Sequence, residues 1–350
     1  MKISFVITSL VRSGAETVTF RLAKHYADEG HDVEIIMLLY NKIEFDVPSN
    51  IKVVNFAGTT NSRVRRITYW LRSLKKHFKE RNPDVVISFI ARINILTLLS
   101  LRKTTAKVII SERNDPRHDT RTKITWFLIN RLYPRADYIV FQTEEAKKLF
   151  KKKIQQKGVV ISNPVKIEKI TTLEEYDKNL ILYAGRFSEQ KDVQTIIRAA
   201  ERVHQVIPQL RFELYGDGPL KESINQIIKN KHLNNVVYIN DNSPDIEKIM
   251  RNSWVFLLSS LYEGMSNSLL EASYSGVPCL TTPVLGSSVI EEGKNGFFFN
   301  FKDYEKLADL IIDLHQNKNE YSILRKNSIE IAKNRQKINT FDKWMKLIEG

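Results

Sequence analysis

The sequence predicts an α/β protein of two doubly wound domains, each a parallel sheet covered by helices. Three observations lead there. Short apolar runs alternate with segments of helical period, the alternation starts afresh near residue 179, and 350 residues are too many for one comfortable core but suit two domains of about 150.

The first strand is ISFVITS, residues 3–9. It runs straight into the polar Arg12, Ser13 and Gly14 with no small-residue cleavage site, so this stretch reads as a strand and not as a signal peptide. Residues 15–29 place Val18, Leu22, Ala23 and Tyr26 at helical spacing, and Gly30 stops that helix. DVEIIMLLY is the second strand, and IKVVNFA, DVVISFI, KVIISE and YIVFQT follow with helical patterns between them. The longest apolar stretch, Val85 to Leu101, is broken by Arg92 and Asn94 and falls short of a membrane span. Ser162 to Lys178 is polar, contains a proline and keeps no period, which suits an interdomain connection. Beyond it NLILYAG, RFELYGD, VVYIND, WVFLLSS and PCLTTP form a second strand series. The expected boundaries are a first domain at 1–165, with a C-terminal helix at about 336–350 packing back on it, a linker at 166–178 and a second domain at 179–335. Open α/β sheets bind ligands beyond the carboxyl ends of their strands, so the functional loops should line an interdomain cleft.

Composition is that of a globular protein, with 42% hydrophobic residues and a single cysteine, Cys279, which excludes an internal disulfide. No Cys and His cluster has metal-ligand spacing, and a reducing cytoplasm is the expected setting. The charge is lopsided. Residues 1–175 hold 32 Lys and Arg against 18 Asp and Glu, whereas 176–350 hold 22 of each, so the whole excess of +14 lies in the first half. That asymmetry points to an anionic partner of the first domain, with nucleic acid and an acidic membrane surface as the two classes to weigh. Eight basic residues between Arg63 and Arg81 could track phosphates, but Ile67, Trp70, Leu71, Leu74 and Phe78 fall on one helical stripe, the core-facing side of a basic surface helix. No nucleic-acid motif accompanies them.

The chemistry sits in loops after strands. AGRFSEQKD carries Arg186 and, five residues on, Lys191 before a helix; two cations beside a helix N-terminus can hold a phosphate or diphosphate. EGMSNSLLEASYSGVP changes from loop to helix, with Ser266 or Asn267 as N-cap, Leu269, Leu270 and Tyr274 as a buried face, and Gly276 and Pro278 as stop signals. Its helix N-terminus favours an anion. Glu271, inside that helix, suits the vicinal hydroxyls of a ribose, and Glu263 precedes it to meet the other end of a ligand, so a nucleotide sugar fits the pair.

These residues resemble a known family. AGR with Lys191, YGDGPL, the Glu-x7-Glu of EGMSNSLLE, SGVP and a loop ending in EEGKNGFFF look like the retaining glycosyltransferases of family 4, whose GT-B fold sets two Rossmann-like domains across a cleft. The resemblance runs from Ile3 to the closing helix. It implies that Arg186 and Lys191 hold the diphosphate, Glu271 the ribose, and Glu263 with Met265, Ser266 and Asn267 the donor sugar, while Gly14 lets the first loop approach the phosphate or acceptor and INDNSPD, with Asn240, contacts the base. Ser13 stands where that family's loop has its first glycine. A histidine common near the donor sugar has Arg113 in what looks like its place, with His118 five residues on, and which of the two acts stays open.

What the resemblance implies is retaining transfer of a hexose or N-acetylhexosamine, with UDP as the expected nucleotide, Glu263 orienting the sugar and no cofactor or metal, since no Asp-x-Asp motif asks for one. The expected acceptor is a glycan, lipid-linked, reached at the anionic inner face of a cell membrane; Ser62 to Arg81 with Tyr69 and Trp70, and Glu145 to Lys157 with Leu149 and Phe150, are the segments that would rest there. Other readings are an isomerase or phosphorylase on the same scaffold, or a basic nucleic-acid-binding protein.

Overall fold

The computed structural model describes residues 1–58, 62–101, 105–118, 121–165 and 175–350. The chain divides into two compact units, Met1–Pro164 with Asn339–Gly350, and Val165–Ile338. Most of the stretch read as a linker, 166–174, lies outside the described residues, and its last two, Asp177 and Lys178, already begin a strand.

Unit 1 contains strands β1 (Lys2–Ile7), β2 (Asp32–Met37), β3 (Ile51–Asn55), β4 (Val85–Phe89), β5 (Lys107–Ser111), β6 (Tyr138–Phe141) and β7 (Gly158–Val160). Its helices are α1 (Gly14–Asp28), α2 (Arg63–Arg81), α3 (Ala91–Ser100), α4 (Lys123–Leu132), α5 (Glu144–Lys148) and α6 (Lys152–Gln155). All strand pairs are parallel, in the order β3-β2-β1-β4-β5-β6-β7. Strands buried on both faces read as continuous apolar runs because each face has its own core. Ile3, Phe5 and Ile7 pack with α1 on one side, while Val6, Ile36 and Ile110 pack with Trp70, Leu74 and Phe78 of α2 on the other.

Unit 2 contains β8 (Asp177–Ala184), β9 (Arg211–Tyr215), β10 (Val237–Asn240), β11 (Ser253–Leu258), β12 (Cys279–Thr281) and β13 (Gly296–Phe298), with α7 (Val193–Val206), α8 (Lys221–Asn230), α9 (Ile246–Asn252), α10 (Asn267–Tyr274), α11 (Tyr304–Gln316) and α12 (Lys318–Arg335). Its parallel strands run β10-β9-β8-β11-β12-β13. The last helix, α13 (Thr340–Glu349), belongs to unit 1. Its Trp344 is fully buried among Phe89 and the α1 core, the Phe341 carbonyl accepts from the Tyr26 hydroxyl at 3.1 Å, and the Ile348 carbonyl accepts from Lys107 Nζ at 2.8 Å.

One buried carboxylate anchors α2. Glu34 of β2 has no exposed surface, accepts from Ser4 Oγ at 2.6 Å, meets His77 Nε2 at 2.9 Å and lies 3.6 Å from Arg81 Nε. Burial alone would raise its pKa, but the bonds from His77 and Ser4 with the Arg81 charge outweigh that and hold it below the ordinary carboxylate value. The segment read as 145–157 is not one amphipathic helix. It is two short helices separated by a turn at Leu149–Lys151, and Phe150 is buried against Tyr133 and Phe141, so it offers no aromatic to a surface.

Two outcomes check this packing. Trp344→Ala should destabilise unit 1 by about 3–5 kcal/mol in urea unfolding. Because the Glu34 pKa is lowered on folding, its contribution is present above the unfolded-state carboxylate value and is lost as pH falls through the folded one. Glu34→Gln should therefore flatten the acid limb of the stability profile below about pH 4.5, measured by denaturation across pH.

Candidate active site

Strand order in unit 2 reverses between β8 and β11: the chain leaves β8 for β9 and β10 on one side, then returns to place β11 on the other. No crossover helix covers the loops at such a switch point, which is where open parallel sheets take ligands. The loops leaving β8 and β11 are those that carry Arg186 with Lys191 and Glu263 with Ser266. They are stitched together. Lys191 Nζ lies 2.5 Å from Glu263 Oε1, which also accepts from Ser260 Oγ at 2.8 Å. Gln190 Nε2 donates to the Tyr262 carbonyl at 2.8 Å, Leu261 N donates to the Gln190 carbonyl at 2.8 Å, and Ser259 Oγ reaches the Lys191 carbonyl at 2.8 Å. The Glu263 carboxylate is mostly buried, and beneath it the Tyr183 hydroxyl is pushed well above its ordinary pKa by burial and then by the Glu263 charge. Arg186 is exposed, and among the described residues its guanidinium has no carboxylate partner.

Backbones meet here without side chains between them. A Cβ on Gly216 would lie 2.0 Å from the Gly185 carbonyl oxygen, so the first glycine of YGDG is dictated by the close approach of the chain leaving β8 to the chain leaving β9. A Cβ on Gly286 would lie 2.4 Å from Met265 Cα and 2.5 Å from the Gly264 oxygen. Gly286 therefore fixes the loop that starts α10. Ser266 is the N-cap, accepting from Leu269 N at 3.4 Å, and Asn267 is the first helical residue. Met265 and Asn267 are half-buried, and Glu271 stands half-buried one turn into the helix, eight residues after Glu263. Asn240 closes the edge strand β10 with β9 between it and β8, about 10 Å from that strand at ordinary sheet spacing, and its carbonyl accepts from Gly216 N at 3.0 Å.

Unit 1 separates its candidates. Gly14 is the exposed first residue of α1, at the loop leaving β1, and a Cβ there would meet nothing within 4 Å, so no packing inside the chain requires glycine. The loop after β5 turns around Asp115, whose buried carboxylate binds Arg117 at 2.7 Å, and this leaves His118 on the outside. Arg113 goes inward. Its guanidinium lies 5.0 Å from the Phe89 ring and 5.6 Å from the Trp344 ring, and Nη1 donates to Asn163 Oδ1 at 2.5 Å. Nε and Nη2 are buried with no partner among the described residues, and burial lowers the pKa to about 9. Asn163, which also accepts from Gln142 Nε2 at 2.8 Å, and the serines Ser259 and Ser260 escape a reading of the sequence. Single polar residues at strand ends carry no periodic signal.

Two family profiles match the chain: Glycosyltransferase Family 4 over residues 12–169 and Glycosyl transferases group 1 over residues 165–335. The protein belongs to the GT-B glycosyltransferases of the family 4 type. It is 28% identical over 245 residues to an uncharacterised glycosyltransferase of Methanocaldococcus jannaschii, covering 63% of this chain and 60% of that protein, so it spans less than two thirds of that relative's length. It is 23% identical over 356 residues to the GalNAc-alpha-(1->4)-GalNAc-alpha-(1->3)-diNAcBac-PP-undecaprenol alpha-1,4-N-acetyl-D-galactosaminyltransferase of Campylobacter jejuni, covering 99% of this chain and 98% of that one. Among solved structures the fold matches HepE of Anabaena in complex with UDP and glucose, at TM-score 0.79 and 18% identity over 96% of this chain and 95% of that one. TarM of Staphylococcus aureus matches at TM-score 0.79 and 15% identity over 100% and 99% of the two chains.

The Lys191–Glu263 pair yields a measurable coupling. Lys191→Met and Glu263→Gln should each destabilise unit 2, because each strands a partly buried polar partner, and the double variant should lose less than their sum by about 1–3 kcal/mol. Urea unfolding of the four proteins measures it, and strict additivity would mean that the two side chains do not interact.

Proposed function

We propose that the protein is a retaining glycosyltransferase that moves a hexose or N-acetylhexosamine from a UDP-sugar to a lipid-linked glycan, as a step of bacterial-type cell-surface glycan assembly at the cytoplasmic face of a membrane. The observation that carries the donor side is the stitched pair of loops at the β8/β11 switch point, with Lys191 held against Glu263 and the α10 N-terminus beside them. The solved relative with UDP and glucose supports the nucleotide, and the C. jejuni relative, named for an undecaprenol-diphosphate acceptor and alike along nearly its full length, supports the lipid-linked acceptor.

Departure of the diphosphate leaves positive charge on the anomeric carbon and negative charge on the leaving oxygens. Arg186, the Lys191 ammonium and the α10 N–H groups supply fixed positive potential for the latter, so no metal is needed to neutralise it. An incoming diphosphate competes with Glu263 for Lys191. The carboxylate released from that pair then accepts from sugar hydroxyls and faces the developing cation, acting as an orienting group while the acceptor hydroxyl attacks on the face the diphosphate leaves and passes its proton to the departing phosphate oxygen. Glu271, one turn into α10, accepts from the ribose diol. Arg113 and Gly14 belong to the acceptor-side unit, where the excess positive charge meets an anionic acceptor. Among the described residues no helix is long and apolar enough to cross a membrane; contact with the bilayer is proposed at the basic surface of α2.

Three results test this. In a thermal-shift panel, UDP-sugars should raise the melting temperature more than GDP- or ADP-sugars at equal concentration. Glu271→Ala and Lys191→Ala should each lower kcat/KM by about a hundredfold or more with circular dichroism unchanged, since each leaves a polar ligand group unpaired. Transfer should persist in EDTA; loss with chelator and recovery with magnesium would overturn the metal-free account.

A further inference from the structure

Four adjacent strands of unit 1, β4 to β7, each bring a side chain to the same carboxyl edge, where open parallel sheets receive ligands. Phe89 ends β4, Arg113 lies two residues past β5, Gln142 one past β6 and Asn163 three past β7. Gln142 and Asn163 are buried, and Asn163 Oδ1 accepts from both Gln142 Nε2 at 2.8 Å and Arg113 Nη1 at 2.5 Å. Trp344 of α13 completes the group, with the guanidinium carbon 5.0 Å from the centre of the Phe89 ring and 5.6 Å from that of Trp344. One hydrogen bond and two rings thus fix the guanidinium.

What this group lacks is a second hydrogen-bond acceptor. Among the described residues Arg113 Nε and Nη2 are buried without a partner, and so is Trp344 Nε1 on the adjacent side chain. No other described side chain has two such nitrogens. Buried N–H groups are nearly always paired, and a buried charge without a counter-charge is more unfavourable still. The same loop shows the usual remedy, for the buried guanidinium of Arg121 meets the Glu112 carboxylate at 2.5 Å. Arg113 has only Asn163, whose amide is neutral. Burial lowers its pKa to about 9, which still leaves it protonated at neutral pH, so the positive charge persists.

The two unpaired nitrogens are not an arbitrary pair. Nε–H and Nη2–H lie along one edge of a guanidinium and point the same way, the fork that takes both oxygens of a carboxylate. We propose that Arg113 selects an acceptor bearing a carboxylate, a sugar acid at the receiving end of the glycan, whose two oxygens fill this fork. The proposal rests on the reading of unit 1 as the acceptor side and gives its anionic partner a defined chemistry. A carboxylate suits the fork better than the diphosphate of a lipid carrier does. Its single charge balances one guanidinium, whereas a diphosphate brings a second charge for which Arg113 has no match. Arg113 as a whole is half-buried, so the fork lies just below the surface of its loop.

The test titrates the full chain, without donor, with glucuronate and galacturonate, each against its neutral counterpart glucose or galactose, and with inorganic phosphate, by isothermal titration calorimetry. Wild type should bind at least one sugar acid about tenfold or more tighter than the neutral sugar. Arg113→Lys, which keeps the charge but not the fork, and Arg113→Gln should each lose that preference. Both variants should keep the UDP-induced rise in melting temperature, and Arg113→Gln should melt no lower than wild type because it removes an uncompensated buried charge. If neither sugar acid is preferred, or if Arg113→Lys keeps the preference, the inference is wrong. Phosphate binding as tight as that of the sugar acids would make the fork a general anion site and overturn the carboxylate assignment. If Arg113→Gln melts well below wild type, the guanidinium serves packing against Phe89 and Trp344, and the inference fails likewise. A wild type that UDP stabilises but that prefers no sugar acid loses this inference and keeps the donor reading; the reverse result keeps the fork and removes the donor.

Discussion

The reversal of strand order at β8 and β11 is the constraint on which the arrangement of the unit 2 loops depends. It leaves two adjacent loops unroofed, and the chain joins them by placing Lys191 against Glu263 and by pairing their backbones through Gln190, Leu261 and Ser259. These polar contacts join the two loops, while Phe187 anchors the first of them in the unit 2 core. A pair of opposite charges that share one another at 2.5 Å is also one that an incoming anion can reapportion. Under the proposed function the ammonium gains a second acceptor while the carboxylate becomes available to hydroxyls.

Close backbone contact makes that arrangement rigid. Gly185 and Gly216 bring the ends of β8 and β9 together, and Gly286 lies against Gly264 and Met265, so the N-terminus of α10 is held by main chain on one side and by the Ser266 cap within. A site built this way loses little order when a ligand arrives, which is what preorganised electrostatic stabilisation requires. The glycines in these motifs thus serve the sheet first, and any ligand contact is inherited from the backbone they allow.

Unit 1 uses its polar residues differently. Glu34 with His77 and Arg81 ties α2 to the sheet, and Glu112 with Arg121, Tyr133 and Asn94 ties α4 to it. Both clusters are buried and charged, an expensive way to fasten a helix unless its orientation matters. Each fixes the rotation of a helix whose outer face is basic or apolar. Arg113, clasped between Phe89 and Trp344 with two donors unpaired, is the exception, a buried cation that no carboxylate of the described chain neutralises.

Alternation of apolar runs and helical periods, together with turn residues such as Gly30 and Gly276, determined the two parallel-sheet units, the helix starts and the Ser266 cap, because these depend on contacts within a few residues. Arg186, Lys191, Glu263 and Glu271 were visible for the same reason: charge beside a helix start stands out locally. Only tertiary structure decided that Lys191 and Glu263 touch, that the Arg113 guanidinium turns inward and His118 is exposed, that Trp70 and Phe150 face cores, and that Ile124 and Phe127 face water. Periodicity says which side chains share a face of a helix. It cannot say what, if anything, covers that face, since this is settled by strand order and by partners many residues away.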